Sequence, residues 1–576
     1  MAISRARWWA RRCWVHRRIV VIGLQPKPHW ETRLFDHNLI VGTPDIVDPV
    51  TDPRDEAGRR RTFAIISHPD AGKTTLTEKF LLYSGALGVE AGTVKAREGR
   101  RSATSDWMDL EQQRGISITS TVLQFEYRDC VINLLDTPGH RDFSEDTYRV
   151  LAAADAAVMV LDAAKGIEPQ TLKLFEVCRE REIPFLTFIN KWDRPGKAPL
   201  ELLDEIEETL VVEPTPVTWP VGIPGDFRGV INRQTGIYTR FERTARGSTI
   251  APEEEVSAEQ ASIDEGEWWT AASEEVELLD EIGRCVDLKT FLAGESTPVF
   301  FGSALTNFGV RFLLDGVVDL VPSPAPRILA DGSRRALDAP FSGLVFKVQA
   351  GMDKAHRDRL AFIRVCSGRF ERGMVAIAGR TGRQFSTKYA QTVFGQERGT
   401  VDEAYPGDVL GLVNANDLRV GDAIYVDQQA EFPTLPAFAP EHFMRARVKD
   451  TSKFKQFRRG IVQLDEEGAI QVLRDQDLGD QAPVLAAVGP MQFEVASYRL
   501  ENEFGAAAEL TATRYSIARK TDAESSPRLR AMQGVDVLTR DDGTHLALFE
   551  SKYWMDRVLA DHPELRLERL VAEGGL

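Results

Sequence analysis

The sequence predicts an α/β P-loop domain with a doubly wound, mostly parallel sheet, followed by an antiparallel β-barrel and a small α+β domain. Three observations predict it. Between residues 59 and 322, short apolar runs of strand length alternate with helical patterns, as in a parallel sheet with crossover helices. A stiff proline-rich boundary, Pro322-Ser323-Pro324-Ala325-Pro326, closes that region. Beyond it, period-two strands with Gly turns run to about residue 436, and strands mixed with helices fill 437–576. For 576 residues, a prior of roughly 150 per domain suggests three or four units.

Residues 1–58 read as a leader. Residues 1–27 contain seven basic residues, Arg5 to Lys27, and no acidic one. The apolar run Ile19-Val20-Val21-Ile22 is too short for a secretory signal. The expectation is a disordered leader or translated sequence upstream of the true start, with Val50-Thr51-Asp52-Pro53 a natural beginning.

The organising stretch follows, residues 62–85. Phe63-Ala64-Ile65-Ile66 is a strand, Ser67-His68-Pro69-Asp70-Ala71-Gly72 a loop, and Lys73-Thr74-Thr75 opens a helix with Leu76, Phe80 and Leu81 on one face. Gly85 is its expected stop. Backbone N–H groups at a helix start lack partners and carry partial positive charge, so they wrap a phosphate. Gly72 lets the backbone approach, Lys73 reaches the β- and γ-phosphates, and the Thr74 hydroxyl binds Mg²⁺. Ser67 stands where the P-loop pattern has its first Gly.

A polar stretch, 90–113, reads as a long functional loop ending in Ser117. Strands then end in Asp136-Thr137-Pro138-Gly139-His140, in Asp162, in Asn190-Lys191-Trp192-Asp193 and in Gly302-Ser303-Ala304-Leu305. Open α/β sheets bind ligands at such carboxyl ends. Asp136 is placed to hold Mg²⁺ through water, and Ser117 to supply it a second hydroxyl. Gly139 N–H can meet the γ-phosphate, and His140 can orient an attacking water. Asp193 decides the base: its carboxylate accepts both N1–H and the exocyclic amine of guanine, whereas adenine would leave it unpaired. Lys191 covers the base, Asn190 ties its loop to the P-loop, and Ser303, Ala304 and Leu305 offer N–H groups to the guanine carbonyl. The cofactors expected are GTP/GDP and Mg²⁺.

The set SHPDAGKTT, SDWMDLEQQRGISIT, NLLDTPGHRDFSEDTYR, FINKWD and FFGSAL resembles the translational GTPases from about Arg59 to near the C-terminus. HPDAGKT, and RGISIT with Ser117, are typical of their termination branch; elongation-type members usually read HIDAGKT. Carried over position by position, the resemblance makes His140 catalytic and gives Lys73 and Thr74, Asp136, and Asn190, Lys191 and Asp193 the roles above. It implies that the ribosome triggers hydrolysis, and that GTP-driven rearrangement frees class-one peptide chain release factors after peptide release. Translocases need two further domains beyond a chain ending at Leu576, which also favours the termination branch.

The resemblance further implies a subdomain at the acidic insertion, about 211–291, where Glu253-Glu254-Glu255, Asp264-Glu265, Glu267 and Glu274-Glu275 read as a solvated face. Trp268-Trp269 reads as packing. In the barrel, His356-Arg357-Asp358-Arg359 is either a solvated turn or a contact to ribosomal RNA phosphates. In the last domain, Arg445, Arg447, Lys449, Lys453, Lys455, Arg458 and Arg459 form a basic stripe. Net charge of −16 excludes a protein whose whole surface coats nucleic acid. The five scattered cysteines suggest reduced thiols and no metal site. No apolar run approaches a membrane span. The expectation is a cytoplasmic monomer acting on the ribosome.

Overall fold

The computed structural model describes residues 51–85, 120–242, 250–350, 359–394, 397–413, 415, 417–435, 438–475 and 479–570. A short helix, α1 (Pro53–Gly58), capped by the Asp52 carboxylate, leads into strand β1 (Arg60–Ser67). The loop 68–72 then turns into α2 (Lys73–Tyr83). Ser67 ends β1, buried. Gly85 follows α2 at φ +72°, a conformation open to glycine.

Six further strands complete the central sheet: β2 (Thr121–Tyr127), β3 (Cys130–Asp136), β4 (Ala156–Asp162), β5 (Phe185–Asn190), β6 (Glu213–Pro216) and, after the insertion, Ser296–Phe301. Their spatial order is β2-β3-β1-β4-β5, then Ser296–Phe301, then β6. Every pairing is parallel except the antiparallel β2–β3 edge. The chain order reverses beside β1, the switch point at which such sheets bind ligands. Register keeps the carboxyl ends level: Ile65 lies against Asp136, Ser67 against Val160, and Asp162 against Asn190. Helices α3 (Ser144–Leu151), α4 (Pro169–Glu180) and α5 (Pro199–Leu210) connect the strands. The strands are buried almost throughout, as sheets covered on both faces must be.

The insertion begins later than the sequence suggests, because β6 belongs to the central sheet. It then folds as its own antiparallel sheet, β7 (Thr218–Ile223), β8 (Asp226–Asn232), β9 (Ile237–Phe241) and β10 (Glu253–Val256), with helices α6 (Ala258–Glu265) and α7 (Glu267–Glu281). Its acidic residues are not all a solvated face. Glu275 accepts the Trp219 indole N–H at 2.9 Å, Glu265 accepts the Tyr238 hydroxyl at 2.9 Å, and Glu253 pairs with Arg311. Trp269 packs on Tyr238, with ring centroids 5.6 Å apart, and Trp268 lies under the Arg228 guanidinium.

After the proline-rich boundary comes an eight-stranded antiparallel sheet whose long strands are Ser342–Ala350 and Arg359–Ser367. Phe346, Leu360, Phe362 and Val409 from this β-rich domain join the core of the P-loop domain. The C-terminal region is α+β. One four-stranded sheet, including His442–Val448 and Val484–Ala487, carries helices Phe454–Glu466 and Met491–Asn502. A second, three-stranded sheet carries helix Lys552–Asp561. Among the described residues, no helix is long and apolar enough to cross a membrane.

Candidate active site

A cavity of about 360 Å³ opens at the carboxyl ends of the central strands. It is lined by Ser67, His68, Pro69 and Asp70, by Gly72, Lys73, Thr74 and Thr75, and by Gly139 and His140. Asn190, Lys191, Asp193, Arg194, Ala304 and Leu305 complete the wall. Thus segments more than two hundred residues apart in sequence meet around one space.

The P-loop is shaped by backbone geometry. Asp70 and Gly72 take positive φ values of 65° and 98°, which turns successive amides toward one concavity. A Cβ on residue 72 would sit 2.3 Å from Asn190 Nδ2, so only glycine closes the loop against the β5 end. Asn190 is the clasp. Its Nδ2 donates to Ala71 O at 2.7 Å, and its Oδ1 accepts from Ala304 N at 2.9 Å. One buried amide therefore joins the P-loop, the β5 end and the loop at 302–305.

Lys191 Nζ donates to Asp70 O and to Asp162 Oδ2, the latter at 2.8 Å. Burial works to raise the Asp162 pKa. The Lys191 hydrogen bond, the Ala164 N–H and the charges of Lys191 and Lys165 outweigh it and hold the carboxyl below its usual range. Asp193 Oδ1 accepts from Ser303 Oγ at 2.5 Å, which presets the carboxylate. Trp192, the bulky residue between them, is fully buried and packs edge-on against Phe301 at 5.0 Å.

At the phosphate end, Lys73 Nζ lies 2.5 Å from Asp136 Oδ1, and both side chains are buried. Thr137 Oγ1 donates to Ile65 O at 2.7 Å, binding the β3 end to β1, and Pro138 O accepts from Thr147 Oγ1 at 3.3 Å. Ala71, Asp136, Thr137, Pro138 and Ser303 thus stand behind the cavity wall and hold it. Ser117 lies outside the described residues. His140 lines the cavity and is half-buried, with Nδ1 3.4 Å from Asp142 Oδ1. His68 Nε2 lies 3.1 Å from Glu168 Oε1.

These residues suit GTP with Mg²⁺. The glycine-only cradle admits phosphate oxygens, and the Thr74 hydroxyl with the Asp136 carboxylate is the hard-oxygen donor set that Mg²⁺ takes alongside substrate phosphates. Sequence reasoning marked Asp162 as a strand end without giving it a role, and missed Glu168 and Arg194. Asp162 ends an apolar strand just as Asp136 does, and that signal identifies it. Arg194 follows the base motif directly and lines the cavity. Glu168, from the turn before α4, carried no local signal.

The P-loop sheet, the β-rich domain and the α+β C-terminal region together define a translational GTPase. Family models agree. Residues 58–323 match the elongation factor Tu GTP binding domain, 340–427 match elongation factor G domain 2, and 432–559 match the class II release factor RF3, C-terminal domain. Proteins named peptide chain release factor 3 from Microcystis aeruginosa and Gloeobacter violaceus are each 50% identical, over 90% and 89% of this chain and 96% and 98% of theirs. One of the same name from Synechococcus elongatus is 50% identical over 88% of this chain and 92% of its own. A crystal structure of a Thermus thermophilus protein shares the fold, with a TM-score of 0.63 at 23% identity, covering 84% of this chain and 71% of that one. The chain belongs to the peptide chain release factor 3 family of translational GTPases. It is a GTP hydrolase whose C-terminal domain fits a role in termination.

Proposed function

We propose that this chain is a ribosome-stimulated GTPase that promotes dissociation of class-one peptide chain release factors from the ribosome after peptide release. It acts as a cytoplasmic monomer with GTP/GDP and Mg²⁺. The observation that carries the reading is the Asn190 clasp, which gathers the P-loop and the base loops around one cavity. Amides of 70–75 and Lys73 neutralise the phosphates. Thr74, Asp136 and Ser117 would hold Mg²⁺, which would supply charge neutralisation to the phosphates. Asp193, preset by Ser303, accepts the two guanine N–H donors, with Lys191 over the base. His140 orients water for in-line attack, so catalysis rests on placement and electrostatics. The working division is a nucleotide domain over 59–322, a β-domain over 327–436 and a C-terminal domain over 437–576.

The basic residues 445–459 are mostly exposed and remain the best candidate for RNA contact. Of the patch at 356–359, only Arg359 lies within the described residues, and there it pairs with Glu466 at 2.6 Å and Leu418 O at 2.7 Å. That pairing favours a structural role. The test is multiple-turnover GTP hydrolysis with ribosomes, with and without a class-one release factor. His140→Ala is expected to keep GTP binding and lose the ribosome-stimulated turnover; unchanged turnover would remove His140 from the mechanism.

A further inference from the structure

Two residues after His140, the chain makes a contact that links the nucleotide site to the far end of the molecule. Asp142 sits in a single 3₁₀ turn, Arg141–Phe143, and is 2% exposed. A buried carboxylate needs donors. One of its oxygens, Oδ2, accepts the Met491 amide at 2.8 Å, at the start of helix Met491–Asn502 and 349 residues away in sequence. The other, Oδ1, lies 3.4 Å from His140 Nδ1 without a hydrogen bond to it. The Asp142 N–H donates to that ring nitrogen at 3.3 Å, so Nδ1 is the acceptor and the backbone of the turn, seated by the carboxylate, holds the ring. His140 is thus held at its Nδ1 edge by the one residue that also grips the C-terminal domain.

The far side of the contact is built for it. A Cβ on residue 489 would lie 2.0 Å from the Asp142 carboxyl carbon and 2.3 Å and 2.5 Å from its two oxygens. Gly489 is not among the residues with positive φ, so its backbone does not itself demand glycine. What glycine provides there is the notch that the carboxylate fills. Phe143, the next residue, packs on Val495, Met491 and Tyr498 of the same helix. The turn is a plug with one polar and one apolar prong.

We propose that Asp142 is a positioning residue: seated in the Gly489 notch, it orients His140 and makes that orientation depend on the docking of the C-terminal domain. When the 491–502 helix withdraws, Asp142 loses its amide donor and its low-dielectric seat, and the ring loses its anchor. The C-terminal domain thereby controls GTP turnover from outside the nucleotide pocket. This rests on His140 orienting the attacking water.

The experiment is a double-mutant cycle between Asp142→Ala and Gly489→Ala, with His140→Ala alongside, read by ribosome-stimulated GTP turnover and by GTP affinity. Because residue 489 has an ordinary backbone, an added methyl acts by expelling the carboxylate. Gly489→Ala alone is expected to lower kcat at least tenfold, with KM and Kd for GTP changed less than twofold and the melting temperature close to wild type. Asp142→Ala should do the same. In the Asp142→Ala background, where the notch is empty, Gly489→Ala should have no further effect, since residues acting as one unit are not additive. Asp142→Glu, which keeps the charge but overfills the notch, should not restore turnover. If His140→Ala loses turnover while Asp142→Ala and Gly489→Ala keep it, the inference fails and the role of His140 stands. Losses that multiply in the double variant would also overturn it. If His140→Ala keeps turnover, the catalytic reading itself fails.

Discussion

In the proposed mechanism Asp193 selects the base, and Ser303 fixes the orientation of Asp193. The Ser303 hydroxyl spends its proton on Asp193 Oδ1, leaving the carboxylate fixed before any ligand arrives. Hydrogen bonds to a charged group contribute about 1.5–3 kcal/mol each. Asp193→Ala is therefore expected to weaken GTP binding by at least about tenfold and to erase the preference over ATP, measured by competition with a labelled guanine nucleotide. Ser303→Ala should keep the preference but weaken GTP several-fold, because the carboxylate must then be ordered on binding. At the phosphate end, Lys73 and Asp136 neutralise one another while buried, so losing either leaves an uncompensated charge.

Among elements, the β1–α2 turn works because of what residue 72 lacks. Gly72→Ala meets Asn190 Nδ2 and a φ of 98° together. It is expected to abolish nucleotide binding while the sheet still folds, seen as loss of GTP-dependent thermal stabilisation with retained circular dichroism. Helix Phe454–Glu466 has a different constraint. Burial pushes the Asp465 carboxyl up to about 7, against the Val472 N–H that favours ionisation. The folded chain keeps that proton to about pH 7, whereas the unfolded chain releases it near 3.8. The stabilisation is complete below the lower value and is lost as pH rises through the upper one. Asp465→Asn should therefore gain in melting temperature relative to wild type between pH 5 and pH 8, as thermal melts at the two pH values will show. Equal shifts at both would contradict it.

Across the whole molecule, the nucleotide domain and the β-domain share a buried polar seam. Arg364, fully buried, donates to Ala153 O and to Asp155 Oδ2, both at 2.6 Å. Asp408 accepts from Arg60 at 2.8 Å and from Gln124 at 3.1 Å, while Thr62 Oγ1 reaches Gly407 O at 2.8 Å. Breaking a buried pair from one side costs about 3–5 kcal/mol. Arg364→Ala is expected to lower stability by about that much, measured as a shift in the urea midpoint. A shift below about 1 kcal/mol would mean that the seam behaves like a surface pair. Against the C-terminal domain, the contacts of the nucleotide domain among the described residues include Asp142 to Met491, Glu145 to Gln471, and Arg149 to Gly468 O. The first two domains therefore share the more extensive buried polar seam.

Much of the site was legible in the sequence because its chemistry is local. A strand, a tight loop and a helix make a phosphate cradle from neighbouring residues, and a carboxylate three positions after an asparagine carries by itself the acceptors that a guanine edge would pair with. The strand ends at Asp136, Asp162 and Asn190 could be read for the same reason, since apolar runs that stop on polar residues mark the rim of a parallel sheet. What only the tertiary structure decided lies between residues of ordinary type far apart in the chain. Nothing near Glu275 announces Trp219, nothing near Arg359 announces Glu466, and the short strand β6 has too few residues to register as part of the central sheet. Asp142 and Gly489 are the limiting case: an acid and a glycine carry no joint signal until folding sets one inside the other, because a contact made by a missing Cβ has no pattern along the chain.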